Sequence, residues 1–231
     1  MLLRHHSMGT LASSTITVPD VAGLGAIHER HVSAVVLPRH GQPALASYLE
    51  RVSRMRAGPL CVTVRFAGEE EGAEGLERFA ALLPPDDARD ALVEEVALWA
   101  EVVATLTGCP QVAVHLGCAR ADHARAFRAV ASGVRLVTSL AHPAVEWIEE
   151  DERQRRMPCC EHLLAFTGEG SRRPTVRSCA AGDVVLLKGN GWSPDDGARG
   201  VLHRAPEIAR EARHGLVLDV VPFGRRSSPV S

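Results

Sequence analysis

The sequence has 231 residues, of which 45% are hydrophobic and 23% are charged, and its formal net charge is -2 with neutral histidines. This composition excludes a disordered polyampholyte, because it supplies enough apolar material to bury a core in one large domain or two small ones. The near-neutral charge argues against a nucleic-acid partner, which usually requires a basic excess. Among the 26 basic residues, Lys188 is the one lysine.

The two ends of the chain are polar. The N-terminus lacks the apolar region of a secretory signal, and no segment approaches about 18 consecutive apolar residues. We therefore expect a cytoplasmic protein without membrane contact. Residues 1–20 and 224–231 are predicted to be disordered tails.

The part of the chain before residue 110 is predicted to be rich in helix. An apolar strand at 32–37 ends at Pro38, a helix follows at 43–52, and a β-branched strand occupies 60–66. A cap in the segment 84–87 starts the longest helix, which ends at Gly108. Residues 21–110 form this helix-rich part.

Residues 111–223 have the pattern of short strands separated by turns. Residues 119–131 are predicted to be a short helix or irregular, and the charge run 149–158 is predicted to be a solvated loop. The predicted strands are 112–116, 134–140, 145–148, 162–166, 175–179, 183–187, 200–203 and 216–221. This series is typical of a jelly roll. We therefore predict an α+β protein, in which a helical N-terminal half packs on a C-terminal jelly-roll barrel (a double-stranded β-helix, cupin-like or oxygenase-like) in one compact domain.

Six cysteines lie in a chain that is expected to be cytosolic, where thiols or metal ligands are commoner than disulfides. None forms a C-x-x-C pair, which argues against a zinc ribbon. Cys159, Cys160 and His162 form the densest group of candidate ligands. They remain either metal ligands or buried structural residues.

The segments 181–192 and 200–206 carry the strongest functional signal. A Gly-Asp turn leads into an apolar strand, a glycine-rich loop follows, and the next strand carries His203. Arg213 lies ten residues further on. Non-haem iron oxygenases have this order, with a distal histidine ligand and an arginine that anchors a carboxylate co-substrate. A facial triad also needs a His-x-Asp or His-x-Glu, and none occurs after residue 110.

The sequence resembles the bacterial family known as domain of unknown function 1826, from about Val21 to Val221. The resemblance is carried by AGDVVLLKGNGW, GVLHRAP and VRLVTSL with VEWI. The family pattern includes a Phe-His-x-Asp segment before an Arg-Leu strand, and Phe127-Arg128-Ala129-Val130 stands there, ahead of Arg135-Leu136. Arginine thus replaces the expected histidine, and valine the expected aspartate. The family's gene neighbourhood implies an association with zinc homeostasis.

Three functional hypotheses follow, and whether the protein is an enzyme stays open. The first is an oxygenase-like jelly-roll metalloprotein in which His203 binds iron or zinc. The second is a diverged protein that binds a small anionic ligand through Arg128 and Arg213. The third is a zinc-handling protein that uses scattered thiols and imidazoles.

Four residues of this sequence match the family pattern. They are His203 and three candidate ligand-binding residues, Lys188, Trp192 and Arg204. For Lys188 the general behaviour of lysine predicts an exposed turn residue. The alternative is an ammonium that reaches an anionic ligand at the mouth of the barrel.

Overall fold

A computed structural model describes residues 13–40, 42–55, 59–66, 69–118, 127–139, 144–156, 175–192, 197–206 and 216–223. The helices are α1 (Pro43–Met55), α2 (Glu69–Ala81), α3 (Asp87–Thr107) and α4 (Glu152–Arg156), with a 3₁₀ helix at Ala22–His28. The strands are β1 (Thr15–Thr17), β2 (Ala34–Leu37), β3 (Leu60–Arg65), β4 (Gln111–Cys118), β5 (Val134–Ser139), β6 (Glu146–Glu149), β7 (Thr175–Ser178), β8 (Val184–Lys188), β9 (His203–Arg204) and β10 (Leu216–Pro222).

The strands form a large and a small sheet. The large sheet has the order β1-β2-β8-β5-β10-β4-β3, and the small sheet has the order β7-β6-β9. All the pairs are antiparallel except β1 with β2. Two antiparallel sheets of this kind confirm the predicted jelly roll.

The large sheet buries a different apolar cluster on each face. On β8, Val184 and Leu186 belong to the cluster that includes the helices α1 and α3, whereas Val185 and Leu187 belong to the cluster that includes Trp147 of the small sheet. Successive side chains of a strand point to opposite faces. The large sheet therefore has a helix face and a barrel face, and the barrel face meets the small sheet.

The predicted long helix is confirmed as α3. The side chain of Asp86 accepts a hydrogen bond from the amide of Ala88 (2.9 Å), and Gly108 ends the helix with φ of 62°. Trp99 is 1% exposed in the helix-face core. Its indole Nε1 donates to Glu95 (2.6 Å), which Arg39 also contacts through both terminal nitrogens.

The helix-rich N-terminal part also contributes strands to the large sheet. Strands β1, β2 and β3 lie within the same sheet as the C-terminal strands. The predicted N-terminal tail is wrong for its last residues, because β1 pairs with β2 and Val18 is 7% exposed. Three residues are too few for a periodic pattern, so only the pairing with β2 defines β1.

The charge run is not a solvated loop. It contains α4, and Glu150 and Arg155 are only 2% and 5% exposed. Arg199 donates to Glu150 across 49 positions of sequence. A charged residue is buried when it has such a partner, and the partner is invisible to a local pattern.

Gly189 is required for the close approach of two backbone segments beside β8. A Cβ on this residue would lie 2.1 Å from the carbonyl oxygen of Ser132. We expect Gly189→Ala to lower the free energy of unfolding by about 1–3 kcal/mol or more, because the backbone must shift to accommodate the methyl group. Urea denaturation measures the change. Gly25→Ala is the matched control, since no described residue beyond its own chain neighbours and helix backbone comes within 4 Å of a Cβ built there, and an equal loss in both variants would contradict the prediction.

None of the helices among the described residues is long and apolar enough to cross a membrane.

Candidate functional site

His203 lies on the barrel face of the small sheet and is 4% exposed. It is the first residue of β9 and pairs with Trp147 of β6, which belongs to the core between the two sheets. Residues directly opposite each other in an antiparallel pair present their side chains on the same face. The imidazole therefore faces the barrel interior, as the sequence predicts.

Both ring nitrogens of His203 have partners. Arg135 donates from Nη1 to Nε2 of the imidazole (2.7 Å), and Nδ1 lies 2.9 Å from the carbonyl oxygen of Val201. A guanidinium has no lone pair to offer, so Nε2 must be the acceptor and Nδ1 the protonated nitrogen that donates to Val201. Burial and the positive charge of Arg135 lower the pKa of His203 to about 4. His203 is therefore neutral at pH 7.

Asp219 completes this network from β10. It accepts two hydrogen bonds from Arg135, from Nε and from Nη2, each 2.9 Å long. The side chains of Arg135 and Asp219 are 27% and 21% exposed. One planar guanidinium thus joins a carboxylate of the large sheet to an imidazole of the small sheet, in the bidentate geometry that makes arginine–carboxylate pairs strong. We call these three residues the Arg135 network.

Arg128 lies beside His203. The two residues exchange both backbone hydrogen bonds, at 2.9 and 3.0 Å, in an isolated antiparallel bridge. Arg128 is exposed. The arginine that replaces the family's expected histidine is therefore the direct cross-strand neighbour of His203, and the two side chains leave the backbone on the same face of the bridge.

Lys188 and Trp192 lie on the opposite face of the large sheet. Lys188 is the last residue of β8 and follows the alternation of Val184 and Leu186 onto the helix face. Its Nζ donates to the carbonyl oxygen of Glu29 (2.7 Å) and lies 5.5 Å from the ring centroid of Trp192. The exposed turn residue predicted for Lys188 is wrong, because the residue is only 5% exposed.

Arg204 points away from His203, since it is the next residue on β9. It donates from Nε to Glu146 (2.7 Å), and its guanidinium lies 4.5 Å from the ring centroid of Phe127. These contacts place it on the outer face of the small sheet. Arg213 lies outside the described residues. The candidate ligands Cys159, Cys160 and His162 also lie outside them.

Sequence reasoning missed Arg135 and Asp219 as site residues. Each is a charged residue inside an otherwise apolar strand, VRLVTS or LVLDVV. A charge at a position that alternation assigns to a buried face is a signal that it has a buried partner. Arg135 also belongs to the Arg-Leu pair on which the family resemblance rests.

The fold is a jelly roll, and solved structures that share it include oxygenases. The dioxygenase for auxin oxidation of rice is similar, with 12% identity, a TM-score of 0.50, and coverage of 92% of this chain and 83% of that chain. The Arabidopsis thaliana dioxygenase for auxin oxidation 1, in complex with 2-oxoglutarate, has 10% identity, a TM-score of 0.52 and coverage of 94% of both chains. At these identities the likeness concerns the fold.

The chain belongs to the family of proteins of unknown function DUF1826, whose model matches residues 19–219. Among proteins with curated descriptions, none matches the sequence.

The oxygenase type of jelly roll implies an iron ion, held by two histidines and a carboxylate. The residues around His203 do not fit this metal. A guanidinium occupies the hydrogen-bonding direction of Nε2, and an arginine is the cross-strand neighbour where a ligand is expected. Among the described residues, no group of three histidines, cysteines or carboxylates is arranged to hold a metal ion.

Proposed function

We propose that this protein is a diverged member of the oxygenase fold that binds a small carboxylate in its barrel through arginines, without a metal on His203. The observation that carries the proposal is the 2.7 Å hydrogen bond from Arg135 to Nε2 of His203. That nitrogen is the one that would ligate a metal if Nδ1 keeps its bond to Val201. A guanidinium at this place supplies the positive charge that a metal would otherwise supply.

Arg128 is the residue that would hold the ligand. Asp219 already offsets the charge of Arg135, whereas no carboxylate among the described residues forms an ion pair with Arg128. Two donor nitrogens of a guanidinium match the two oxygens of a carboxylate. Arg213, which the sequence places ten residues after His203, would supply a second guanidinium. The complex of the Arabidopsis neighbour with 2-oxoglutarate suggests a 2-oxo acid as the first ligand to test.

The binding test is a calorimetric titration of the purified protein with 2-oxoglutarate and with succinate. We expect Arg128→Gln to weaken the binding about tenfold or more, because a charge-assisted bidentate contact is lost. Arg54→Gln is the matched control, since Arg54 is an exposed arginine on α1 whose side chain is 61% exposed. Equal binding by wild type and Arg128→Gln, or no binding of either acid, would contradict the proposal.

Elemental analysis tests the absence of a metal on His203. We expect less than stoichiometric iron or zinc after incubation with either ion and desalting, because Arg135 competes for the imidazole. A stoichiometric metal that is lost in His203→Gln would overturn the proposal in favour of an oxygenase-like metalloprotein. A zinc ion that is lost only after substitution of Cys159 and Cys160 would favour the zinc-handling hypothesis.

A further inference from the structure

A second candidate site lies at the end of β8, and neither Arg128 nor the three residues of the Arg135 network line it. It is a cavity of about 230 Å³ at the end of β8, between the 3₁₀ helix, α4 and the segment 197–200. Its charged lining consists of Arg30, Arg155, Lys188, Arg199 and Glu152. It is smaller than the roughly 300 Å³ at which pockets for drug-sized ligands begin.

Two buried arginines of this cavity have donor atoms without acceptors. Arg155 is 5% exposed, and no acceptor in the described part of the chain bonds its Nε. The side chain of Arg199 is 13% exposed, and its Nε and Nη1 likewise have no acceptor among the described residues. Buried donors are nearly always satisfied in folded proteins, and leaving one unsatisfied is costly. These atoms require an acceptor that the described residues do not supply, either a water molecule or a bound anion.

The charges of the lining point to an anion. Four cationic side chains line the cavity, and the described carboxylates near them are Glu152, Glu150 and Asp151. Glu152 accepts from Arg30 (2.9 Å) and also from Arg156 (2.8 Å), outside the cavity lining. Arg199 donates to Glu150 from Nη2 alone.

Arg155 has the least favourable surroundings for its charge. Burial lowers the pKa of its guanidinium, and the charge of Arg199 acts in the same direction, while Glu152, Glu150 and Asp151 oppose them. A bound anion would offset both effects, because it adds negative charge and acceptors in the same place.

We propose that this cavity binds a phosphate group, either as inorganic phosphate or as the headgroup of a small phosphomonoester. Guanidinium and ammonium donors reach it from four segments of chain, and a tetrahedral oxyanion presents oxygens in that many directions, whereas a carboxylate presents two in one plane. Gly189 adds to the lining a residue without a side chain. Lys188, the one lysine of this arginine-rich chain, also lines the cavity.

Isothermal calorimetry and ³¹P line broadening with inorganic phosphate and with glycerol 3-phosphate test the proposal. We expect saturable binding of at least one of them, a thermal upshift that grows with ligand concentration, and a loss of about tenfold or more in affinity in Arg155→Met and Arg199→Met. Tighter binding of glycerol 3-phosphate identifies a phosphomonoester as the ligand, and equal binding identifies phosphate itself.

Arg30→Glu provides a second test of the phosphate site if Arg155→Met and Arg199→Met fail to fold. The side chain of Arg30 is 67% exposed, so its reversal changes the charge of the cavity at the surface. We expect at least a fivefold loss of phosphate affinity, and no change in the control Arg54→Glu. No saturable binding of either phosphate compound up to about 10 mM, or equal affinity in wild type and Arg30→Glu, would overturn the proposal.

Two variants distinguish the proposed carboxylate site from the proposed phosphate site. Arg128→Gln should leave phosphate binding unchanged, and Arg30→Glu should leave the binding of 2-oxoglutarate unchanged. Loss of phosphate binding in Arg128→Gln would place the phosphate in the barrel and overturn the second site. Failure of carboxylate binding leaves the phosphate result standing on its own.

Discussion

Lowering the pH from about 7 to about 4 is expected to reduce the free energy of unfolding by on the order of 3 kcal/mol through His203 alone. The folded protein holds the pKa of His203 at about 4, against an ordinary value of 6.5. Between these two values the unfolded chain binds a proton at His203 and the folded chain does not. Stability from this group is therefore complete above about pH 6.5 and is lost as the pH falls toward about 4.

The measurement is urea denaturation of wild type and His203→Gln at a series of pH values. Carboxylates also respond to acid, so the informative quantity is the difference in pH dependence between the two proteins. Wild type should lose more stability than the variant between about pH 6.5 and about pH 4. His40→Gln, which removes an exposed histidine, is the matched control. Parallel profiles for wild type and His203→Gln would show that the imidazole is not held neutral.

Arg135→Met is expected to lower the free energy of unfolding by about 2–4 kcal/mol, because it leaves two buried groups without their partner. Asp219 would keep a partly buried charge, and Nε2 of His203 would lose its donor. The same variant removes the positive charge beside the imidazole, so the pKa of His203 should rise in an NMR titration.

The double variant Arg135→Met, Asp219→Leu separates the cost of an orphaned charge from the value of the pair. Removing both charges should restore part of the stability, since a buried ion pair contributes little beyond well-packed apolar residues. A loss of unfolding free energy in the double variant that exceeds the summed losses of the two single variants would contradict this account of the Arg135 network. Arg54→Met, on the exposed face of α1, should change stability by less than about 0.5 kcal/mol.

Local patterns in the sequence were enough for the elements that repeat over several turns or strands. The helix α3 has a cap, a periodic apolar stripe and a terminal glycine, and β8 is a run of four apolar residues after a Gly-Asp turn. The strand β1 and the helix α4 have no such pattern. Their existence depends on partners elsewhere in the chain, which a window of sequence does not contain.

The sequence likewise pointed to only some of the residues of the candidate site. His203 and Arg128 were found through a motif and its altered counterpart, and the structure places them side by side. Arg135 and Asp219 are 84 positions apart, and their bond depends on the order of strands in the large sheet. Lys188 was expected to be an exposed turn residue, with the mouth of the barrel as the alternative, whereas the alternation of side chains along β8 puts it on the helix face, where it is buried.

The order of strands in the large sheet also governs how the protein reaches its folded state. Ala34 of β2 pairs with Leu187 of β8, about 150 positions later, and β10 lies between β5 and β4 at the end of the chain. Contacts of such long range fold slowly, because loop closure must precede them. During synthesis β2 meets β1 early, whereas its other neighbour, β8, is made only about 150 positions later, so the apolar β2 keeps an unpaired edge to which chaperones can bind.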